Sequence, residues 1–241
     1  MNVPFCCVAS LLVGFLTVVR CPASECPPNT LSDAEREAGW QLLFDGQTTQ
    51  GWRGFGKKEF PRTGWIVEDG WLKRRGPGGD IITEAEFDEF ELVFDWQIGA
   101  GANSGLKYFV VGGRPGAIGH EYQLLDDGAR PARTNDLHRT ATFYDVLPLQ
   151  ALEAPKPAGE VNQSRIVVAG DRVEHWLNGV CVLTYQLGSP EVKAAVARSK
   201  FKGLAGFGTK VRGHLLLQDH GGEVAFRNLK VRTKPGGPRQ S

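Results

Sequence analysis

Polar side chains that can carry protons end several apolar runs of this sequence. The clearest case is Gln218-Asp219-His220, which closes an apolar run and is followed by a glycine pair. A strand that ends in this way presents an amide, a carboxylate and an imidazole at the rim of a sheet, and imidazole titrates near neutral pH. A polar turn with all of its hydrogen bonds satisfied would explain the same residues. The functional interpretation of this cluster therefore depends on further candidate residues elsewhere in the chain.

Two further groups lie at strand positions. His120 and Glu121 begin one candidate strand, and Gln123, two residues on, shares a face with Glu121. In a second strand, Glu174 and Trp176 share a face. Structural roles are open for each of them, since a buried histidine often only hydrogen-bonds, a glutamate can pair with a nearby arginine, and a tryptophan usually belongs to the core.

The elements that must position these side chains read as strands separated by glycine. Asp69-Gly70 and Asn178-Gly179 are typical of tight hairpin turns. Helices are predicted only from Ser32, which begins a capping-box pattern, to about Ala38, and over 190–199. Strands are predicted over 41–44, 65–68, 71–73, 81–83, 90–98, 105–111, 121–125, 164–169, 172–177, 180–185, 213–218 and 224–232. This pattern favours an all-β, antiparallel sandwich or jelly roll with one or two short peripheral helices.

Length and composition fit one large domain. The 241 residues are 41% hydrophobic, enough for a sizeable core, and the formal net charge is +1. This charge gives no electrostatic case for a nucleic acid partner. We predict a domain over 40–233, preceded by a linker and short helix over 24–39 and followed by a tail over 234–241.

The first residues indicate export. An apolar run over 6–19 is too short for a comfortable membrane span and resembles the core of a secretory signal, with cleavage after Ala23. Residues 1–23 are therefore predicted to be a signal peptide, and the protein to be secreted, periplasmic or part of the cell envelope. Cys181 is interpreted as a small buried hydrophobic residue, and no disulfide framework or zinc spacing is apparent.

One long connection, over 126–160, lacks clear periodicity and is rich in chemically active side chains. It contains Arg130, Arg133, His138, Tyr144 and Asp145. Loops of this length inside a compact domain are usually functional or disordered. Tyr144 is therefore added to the candidate site residues.

The order of short motifs resembles one family. These motifs are Leu43-Phe44-Asp45-Gly46, Gly64-Trp65 through Gly70, Asn103-Ser104-Gly105, Gly119 through Asp126, Glu174 through Gly179, and Gln218-Asp219-His220-Gly221. In this order and spacing they are similar to the 3-keto-disaccharide hydrolases, also named 3-keto-glucoside 1,2-lyase/3-keto-2-hydroxyglucal hydratase. The resemblance covers about residues 40 to 233.

The resemblance implies a concanavalin A-like jelly-roll sandwich of two antiparallel sheets that acts on an oxidised glycoside. A ketone at C3 acidifies the C2 proton, so a base can start elimination of the C1 substituent, after which water adds back. Candidate catalytic residues are Glu121, Tyr144, Glu174, Asp219 and His220. Candidate substrate-binding residues are Asn103, Gln123, His120, Trp176, Lys200 and Gln218, with Trp176 stacking on a sugar ring and Lys200 stabilising negative charge.

Two further points stay open at this level. A divalent metal is a possible cofactor, because Glu121, Asp126, Asp219 and His220 supply oxygen and nitrogen donors that could polarise the ketone. A carbohydrate-binding module without catalysis is the main alternative function, since jelly rolls often bind glycans. In that case Trp52, Trp71 and Trp176 would be stacking platforms. An adhesion domain of the cell envelope is the third hypothesis.

Overall fold

A computed structural model describes residues 26–128 and 135–233. Within these ranges the chain forms two antiparallel sheets and two short α-helices, which confirms the all-β prediction. The predicted signal peptide, the whole of the predicted tail, Arg130 and Arg133 lie outside the described residues. No helix in the described part is long and apolar enough to cross a membrane.

Thirteen strands build the described fold. In chain order they are β1 (Trp40–Leu42), β2 (Trp52–Gly54), β3 (Trp65–Glu68), β4 (Trp71–Arg74), β5 (Ile81–Phe87), β6 (Phe90–Ile98), β7 (Asn103–Val110), β8 (His120–Leu125), β9 (Asn162–Ala169), β10 (Arg172–Leu177), β11 (Val180–Gln186), β12 (Gly213–Leu217) and β13 (Val224–Arg232). The larger sheet follows the order β11-β10-β9-β6-β13-β4-β3, with β1 paired to β13 beside this path. The smaller sheet follows the order β2-β5-β12-β7-β8.

The hairpin turns form where the sequence predicts them. Asp69 and Gly70 both have positive φ, 52° and 74°, and so do Asn178 and Gly179, 48° and 87°. Two successive positive φ angles match the right-handed twist of the flanking strands, which is why Asp-Gly and Asn-Gly pairs are found there. The short strand β2 is missing from the prediction, because three residues are too few to show alternation.

The helices are also close to their predicted ranges. Helix α1 (Asp33–Glu37) begins at Ser32, whose hydroxyl accepts from the Glu35 N–H in a complete capping box. Helix α2 (Pro190–Arg198) begins at the Ser189 cap. Cys181 differs from its interpretation as a buried residue: it is only half-buried, with Sγ 3.5 Å from the Thr184 hydroxyl.

A relay of hydrogen bonds joins the two sheets inside the apolar core. The Trp96 indole donates to Ser164 Oγ at 2.8 Å, and Ser164 lies 2.8 Å from the Tyr122 hydroxyl. Tyr122 in turn donates to the Trp176 carbonyl at 3.0 Å. Because the polar atom of each side chain in this relay has a partner, hydrogen bonds offset the cost of removing Trp96, Ser164 and Tyr122 from water.

Strand β8 is buried along its whole length because both of its faces are covered. His120, Tyr122 and Leu124 point into the core between the sheets, whereas Glu121 and Gln123 point to the other face. Residues 141–147 pair edge-on with β8, since the Tyr144 N–H donates to the Glu121 carbonyl at 3.1 Å and the Ala141 N–H donates to the Gln123 carbonyl at 2.9 Å. The side chains of Tyr144 and Lys200 lie near Glu121 on the second face. A buried carboxylate therefore lies on the outer face of the smaller sheet.

Candidate active site

A cavity of about 410 Å³ opens on the outer face of the smaller sheet. Its volume is in the range of pockets that bind small molecules. Its walls come from β7, β8, the end of β12, residues 141–147 and the segment after α2. Seven predicted site residues line it, namely Asn103, Glu121, Gln123, Tyr144, Lys200, Gln218 and His220.

Glu121 lies at the centre of this cavity and is 5% exposed. Burial raises the pKa of its carboxyl group, while the positive charges of Lys107 and Lys200 oppose the rise. Glu121 Oε2 is 3.7 Å from Lys107 Nζ. The cavity therefore holds a desolvated carboxylate that is more basic than an exposed one, with a lysine opposite it in the strand register.

The amide of Gln123 links Glu121 to the next side chain along the sheet. With its nitrogen turned toward Glu121, Gln123 donates to Oε1 at 3.0 Å. In the opposite orientation the nitrogen donates to Asn103 Oδ1 at 3.1 Å. In the first orientation Glu121 is fixed by a hydrogen bond on one oxygen and an ion pair on the other.

Gly105 creates the space that the Glu121 carboxylate occupies. A Cβ added at Gly105 would lie 2.6 Å from Glu121 Oε1. We expect Gly105→Ala to displace the carboxylate and to lower kcat/KM by roughly tenfold to a hundredfold, since a misplacement of about 1 Å can cost that much. Steady-state kinetics on the substrate proposed below, with circular dichroism as a check of folding, measures this effect.

Gly112→Ala is the matched control, because a Cβ at Gly112 would meet nothing within 4 Å. Equal activity of the two variants would contradict the role assigned to Gly105.

Tyr144 and Lys200 form the wall opposite the sheet. Lys200 Nζ lies 4.2 Å from the centre of the Tyr144 ring, close enough for a cation–π contact. Asp145 fixes Lys200 and His138, because its Oδ2 accepts from the Lys200 N–H at 2.7 Å and its Oδ1 lies 3.0 Å from His138 Nε2. The His138 ring also stacks on Tyr144 at 4.7 Å.

The electrostatics of this wall suit proton transfer. Burial raises the pKa of Tyr144, and the negative charges of Glu121 and Asp145 raise it further, so its hydroxyl stays protonated as a hydrogen-bond donor. Lys200 is exposed as a whole, yet desolvation on its cavity side lowers the pKa of its ammonium group. A lysine with a lowered pKa gives up its proton more readily.

Asp219, a predicted catalytic residue, does not line the cavity. Its Oδ1 accepts from Arg74 Nε at 2.6 Å, and its Oδ2 accepts from the N–H groups of Gly78 and Gly79, both at 2.8 Å. Burial acts to raise the pKa of Asp219, but these hydrogen bonds and Arg74 together hold it below its usual value. The carboxylate therefore anchors the loop that carries His220, and both of its oxygens are already occupied.

We expect Asp219→Asn to act mainly on stability. The change leaves the Arg74 guanidinium, whose side chain is 13% exposed, without its counter-charge, and we expect a loss of about 2–3 kcal/mol at pH 7. Urea denaturation measures this loss. The turnover rate, measured on the folded variant, should change less than tenfold, whereas loss of a catalytic base costs about 10²–10⁴. A loss of activity in that higher range would restore Asp219 to the catalytic residues.

His120, a predicted substrate-binding residue, points away from the cavity. Its ring is fully buried among aromatic side chains, 4.7 Å from Phe143 and 4.9 Å from Phe207, and Nε2 accepts from the Gly208 N–H at 3.0 Å. The reason is the two-residue period of a strand, which places His120 and Glu121 on opposite faces. Burial lowers the pKa of His120 to about 3.

Glu174 and Trp176 share a face, as predicted, but that face is the outer surface of the larger sheet. Glu174 pairs with Arg172 at 2.8 Å and accepts from the Trp176 indole at 2.8 Å. Arg165, on the neighbouring strand β9, stacks on the Trp176 ring and pairs with Glu91. Neither Glu174 nor Trp176 reaches the cavity.

The donor set considered for a metal does not converge. Asp219 is bound to Arg74, and Asp126 Oδ2 accepts from the Gly101 N–H at 2.8 Å. Among the described residues no three His, Cys, Asp or Glu side chains are grouped so that they could hold a metal ion. Two of the tryptophans predicted to be stacking platforms of a binding module, Trp52 and Trp71, are buried and cannot stack on a ligand.

Sequence reasoning missed half of the cavity lining. The missing residues are Lys107, Pro115, Ile118, Gly119, Phe201, Lys202 and Leu204. Lys107 could have been found only from the register that pairs it with Glu121. The segment 201–204 carries no periodic signal, although its position directly after Lys200 was a usable hint.

The two antiparallel sheets define a jelly-roll protein. The cavity on one outer face, with its buried carboxylate and lysines, is its candidate small-molecule site. The chain belongs to the 3-keto-alpha-glucoside-1,2-lyase-like domain family, whose model matches residues 39–232. This match confirms the resemblance drawn from the ordered motifs.

Individual relatives agree with this assignment. The chain is 33% identical to a 3-keto-disaccharide hydrolase of Bacteroides thetaiotaomicron over 229 residues, 80% of this chain and 78% of that protein. It is 34% identical to a candidate glycosyl hydrolase of Parabacteroides distasonis with a solved structure, with a TM-score of 0.78 over 86% of this chain and 99% of that one. A second candidate glycosyl hydrolase of the same species, 24% identical with a TM-score of 0.67 over 80% and 98% of the two chains, shares the fold.

Proposed function

We propose that the protein cleaves 3-keto-glycosides by elimination across C1–C2 followed by hydration, with release of 3-keto-glucose. The observation that carries the proposal is the buried Glu121 carboxylate in a cavity with two lysines and a tyrosine around it. Membership of the family and the name of the Bacteroides relative support the substrate class. Ordinary glycosidases use two carboxylates near one bond, whereas Glu121 is the single carboxylate among the described residues that line this cavity.

Glu121 is the base in this proposal. It takes the C2 proton, the electron pair moves onto the C3 carbonyl oxygen, and Lys107 and His220 stabilise the resulting enolate. A carboxylate with a raised pKa is better matched to this weak carbon acid than an exposed one. The charge of Lys107 and a hydrogen bond from the His220 ring act in a partly desolvated cavity, where they stabilise developing charge more strongly than in water.

Lys200 and Tyr144 act at the leaving oxygen. When the enolate collapses, the C1–O1 bond breaks and Lys200 gives its proton to O1, while Tyr144 donates a hydrogen bond there. The product is an enone with a C1–C2 double bond. Water then adds its oxygen to C1 and gives a proton to Lys200, Glu121 returns its proton to C2, and 3-keto-glucose leaves with both groups restored.

Turnover with isotopes tests both parts of the proposal. Purified protein should release 3-keto-glucose from a 3-keto-glucoside, and a substrate deuterated at C2 should react more slowly because the C2–H bond breaks. Absence of 3-keto-glucose, with and without added divalent metal ions, would falsify the function. Release at equal rates from both isotopic substrates would retain a hydrolase but contradict Glu121-driven elimination as the slow step.

The proposal also places the protein outside the cytoplasm, on the evidence of the apolar leader pattern over 6–19. Amino-terminal sequencing of protein from the native cell should then begin after Ala23. An intact amino terminus on that protein would contradict export by cleavage.

A further inference from the structure

The cavity changes character along the direction of strands β7 and β8. At one end, Asn103 pairs in register with Leu125, and Gly105 pairs with Gln123. The Gln218 N–H donates to the Gly105 carbonyl at 3.0 Å, so Gln218 belongs to the same end. The side chains here are amides, and the Gln218 Oε1 atom is buried without a hydrogen-bond partner. This end offers the donors and acceptors that sugar hydroxyls need.

The other end is apolar. Lys107 pairs in register with Glu121, and beyond this pair the chain turns through the β7–β8 connection, which contributes Pro115 and Ile118. Asn103 and Lys107 are four residues apart, so the two ends are separated by about 13 Å along the strand. Glu121 lies beside Lys107, where the apolar end begins.

The segment after α2 extends the apolar end. Phe201 stacks on Phe207 at 4.2 Å, and Arg114 lies over the Phe207 ring at 5.6 Å. These contacts place residues 201–207 beside the β7–β8 connection. Phe201 and Leu204 therefore face the same end of the cavity as Pro115 and Ile118.

The apolar end carries one exposed positive charge that has no carboxylate partner in the described part of the chain. Lys202 lines the cavity, and no described carboxylate lies within ion-pair distance of its ammonium group. Lys107, by contrast, pairs with Glu121, and Lys200 lies over Tyr144. Three lysines and one glutamate line the cavity, so an anionic group on a ligand would meet a net positive charge there.

We propose that the leaving group of the substrate is an apolar aglycone, such as an aryl group, that bears an anionic substituent. The sugar ring occupies the amide end, C1 and C2 lie at Glu121, the aglycone ring packs against Ile118 and Leu204, and the anion pairs with Lys202. This inference rests on the proposed function and names its substrate class.

The test compares two glycosides that differ only in charge at the distal end of the aglycone. These are the 4-carboxyphenyl and the 4-carbamoylphenyl 3-keto-glucosides. We expect the ratio of their kcat/KM values, carboxyl over carbamoyl, to fall about fivefold in Lys202→Gln, which corresponds to the upper range of a partly exposed ion pair. Comparing the ratio between proteins removes the difference in leaving-group acidity.

Lys193→Gln is the matched control, because Lys193 is exposed on α2 and does not line the cavity. An unchanged ratio in Lys202→Gln overturns the assignment of the anion. An equal fall in Lys193→Gln also overturns it, since the preference would then reflect the overall charge of the protein.

A second experiment tests the apolar part of the proposed aglycone site. Benzyl and methyl 3-keto-glucosides release alcohols of similar acidity, so their KM values compare aglycone contacts. Leu204→Ser should weaken the preference for benzyl, and no preference in the unaltered protein would contradict the apolar subsite.

Failure of the proposed function is distinguishable from failure of this inference. If neither aryl substrate is cleaved, isothermal titration of the two corresponding unoxidised aryl glucosides measures binding directly. Tighter binding of the carboxyl compound, lost in Lys202→Gln, keeps the subsite while the reaction fails. Equal binding of the two compounds overturns the subsite as well.

Discussion

Replacement of Glu121 by Gln is expected to lower kcat on a 3-keto-glucoside by about a thousandfold, within the range of about 10²–10⁴ for loss of a general base. Glutamine has nearly the shape of glutamate and can still approach Lys107 and Gln123, so the cavity should persist. It cannot take a proton from C2. Steady-state kinetics of 3-keto-glucose release, with KM determined separately, measures the effect.

Glu174→Gln is the control for that experiment. Glu174 also belongs to the predicted catalytic residues, but its contacts are Arg172 and Trp176 on the far sheet. Its replacement should leave kcat within about threefold, because a surface pair contributes little. Equal losses in the two variants would mean that the cavity is not where the reaction occurs.

The raised pKa of Glu121 predicts the direction in which the pH profile of the same reaction is shifted. Burial raises the pKa of Glu121, so the basic form is present only above that raised value. The acidic limb of the kcat/KM profile should therefore lie at higher pH than an exposed glutamate would give. The limb should disappear in Glu121→Gln.

Acid should destabilise the fold through its buried histidines. Burial lowers the pKa of His120 to about 3 and that of His175 to about 4, against about 6.5 in an unfolded chain. Between about pH 6.5 and these folded values, the unfolded chain binds more protons than the native one. Stability therefore falls as the pH falls through this window, and stops falling on this account near the folded pKa.

The substitution His120→Phe is expected to have a large effect on how the free energy of unfolding depends on pH. Between pH 7 and pH 4.5 the native protein loses about 2–3 kcal/mol through His120 alone, and the variant should be spared this loss. The lost hydrogen bond from Gly208 and any packing cost act equally at both pH values. Urea denaturation at pH 7 and pH 4.5 gives the two differences to be compared.

Phe109→Leu is the matched control, because Phe109 packs 5.2 Å from His120 and does not titrate. It should lower stability at both pH values by the same amount. A pH dependence in His120→Phe as steep as in the unaltered protein would show that His120 is already charged in the fold.

Strand alternation predicted the fold and part of the site. It placed Glu121 with Gln123 on one face, and it placed Glu174 with Trp176 on another, and both pairs do share a face. Alternation could not say which sheet face each pair occupies, because that depends on which strands become neighbours. Glu121 faces a cavity that Tyr144 and Lys200 also line, whereas Glu174 lies half-buried on the outer surface of the larger sheet.

The misplaced residues share a physical cause. The prediction that Asp219 is catalytic and that His120 binds substrate depends on residue type. Residue type does not reveal partners that are distant in sequence. Arg74 and the two glycine N–H groups that occupy Asp219 lie more than 130 residues before it. Lys202 and Leu204 escaped for the opposite reason: they lie in a connection without period, and only folding brings it over the sheet.

The contacts of Asp145 with His138 and Lys200 have an evolutionary consequence. The proposed base stands on a strand, while the wall proposed to meet the leaving group belongs to two connections that Asp145 links to each other. Substitutions in the segment 201–204 can therefore alter which aglycones fit while the sandwich and its proton acceptor stay as they are. Such a division lets one scaffold diversify its substrates without refashioning its chemistry.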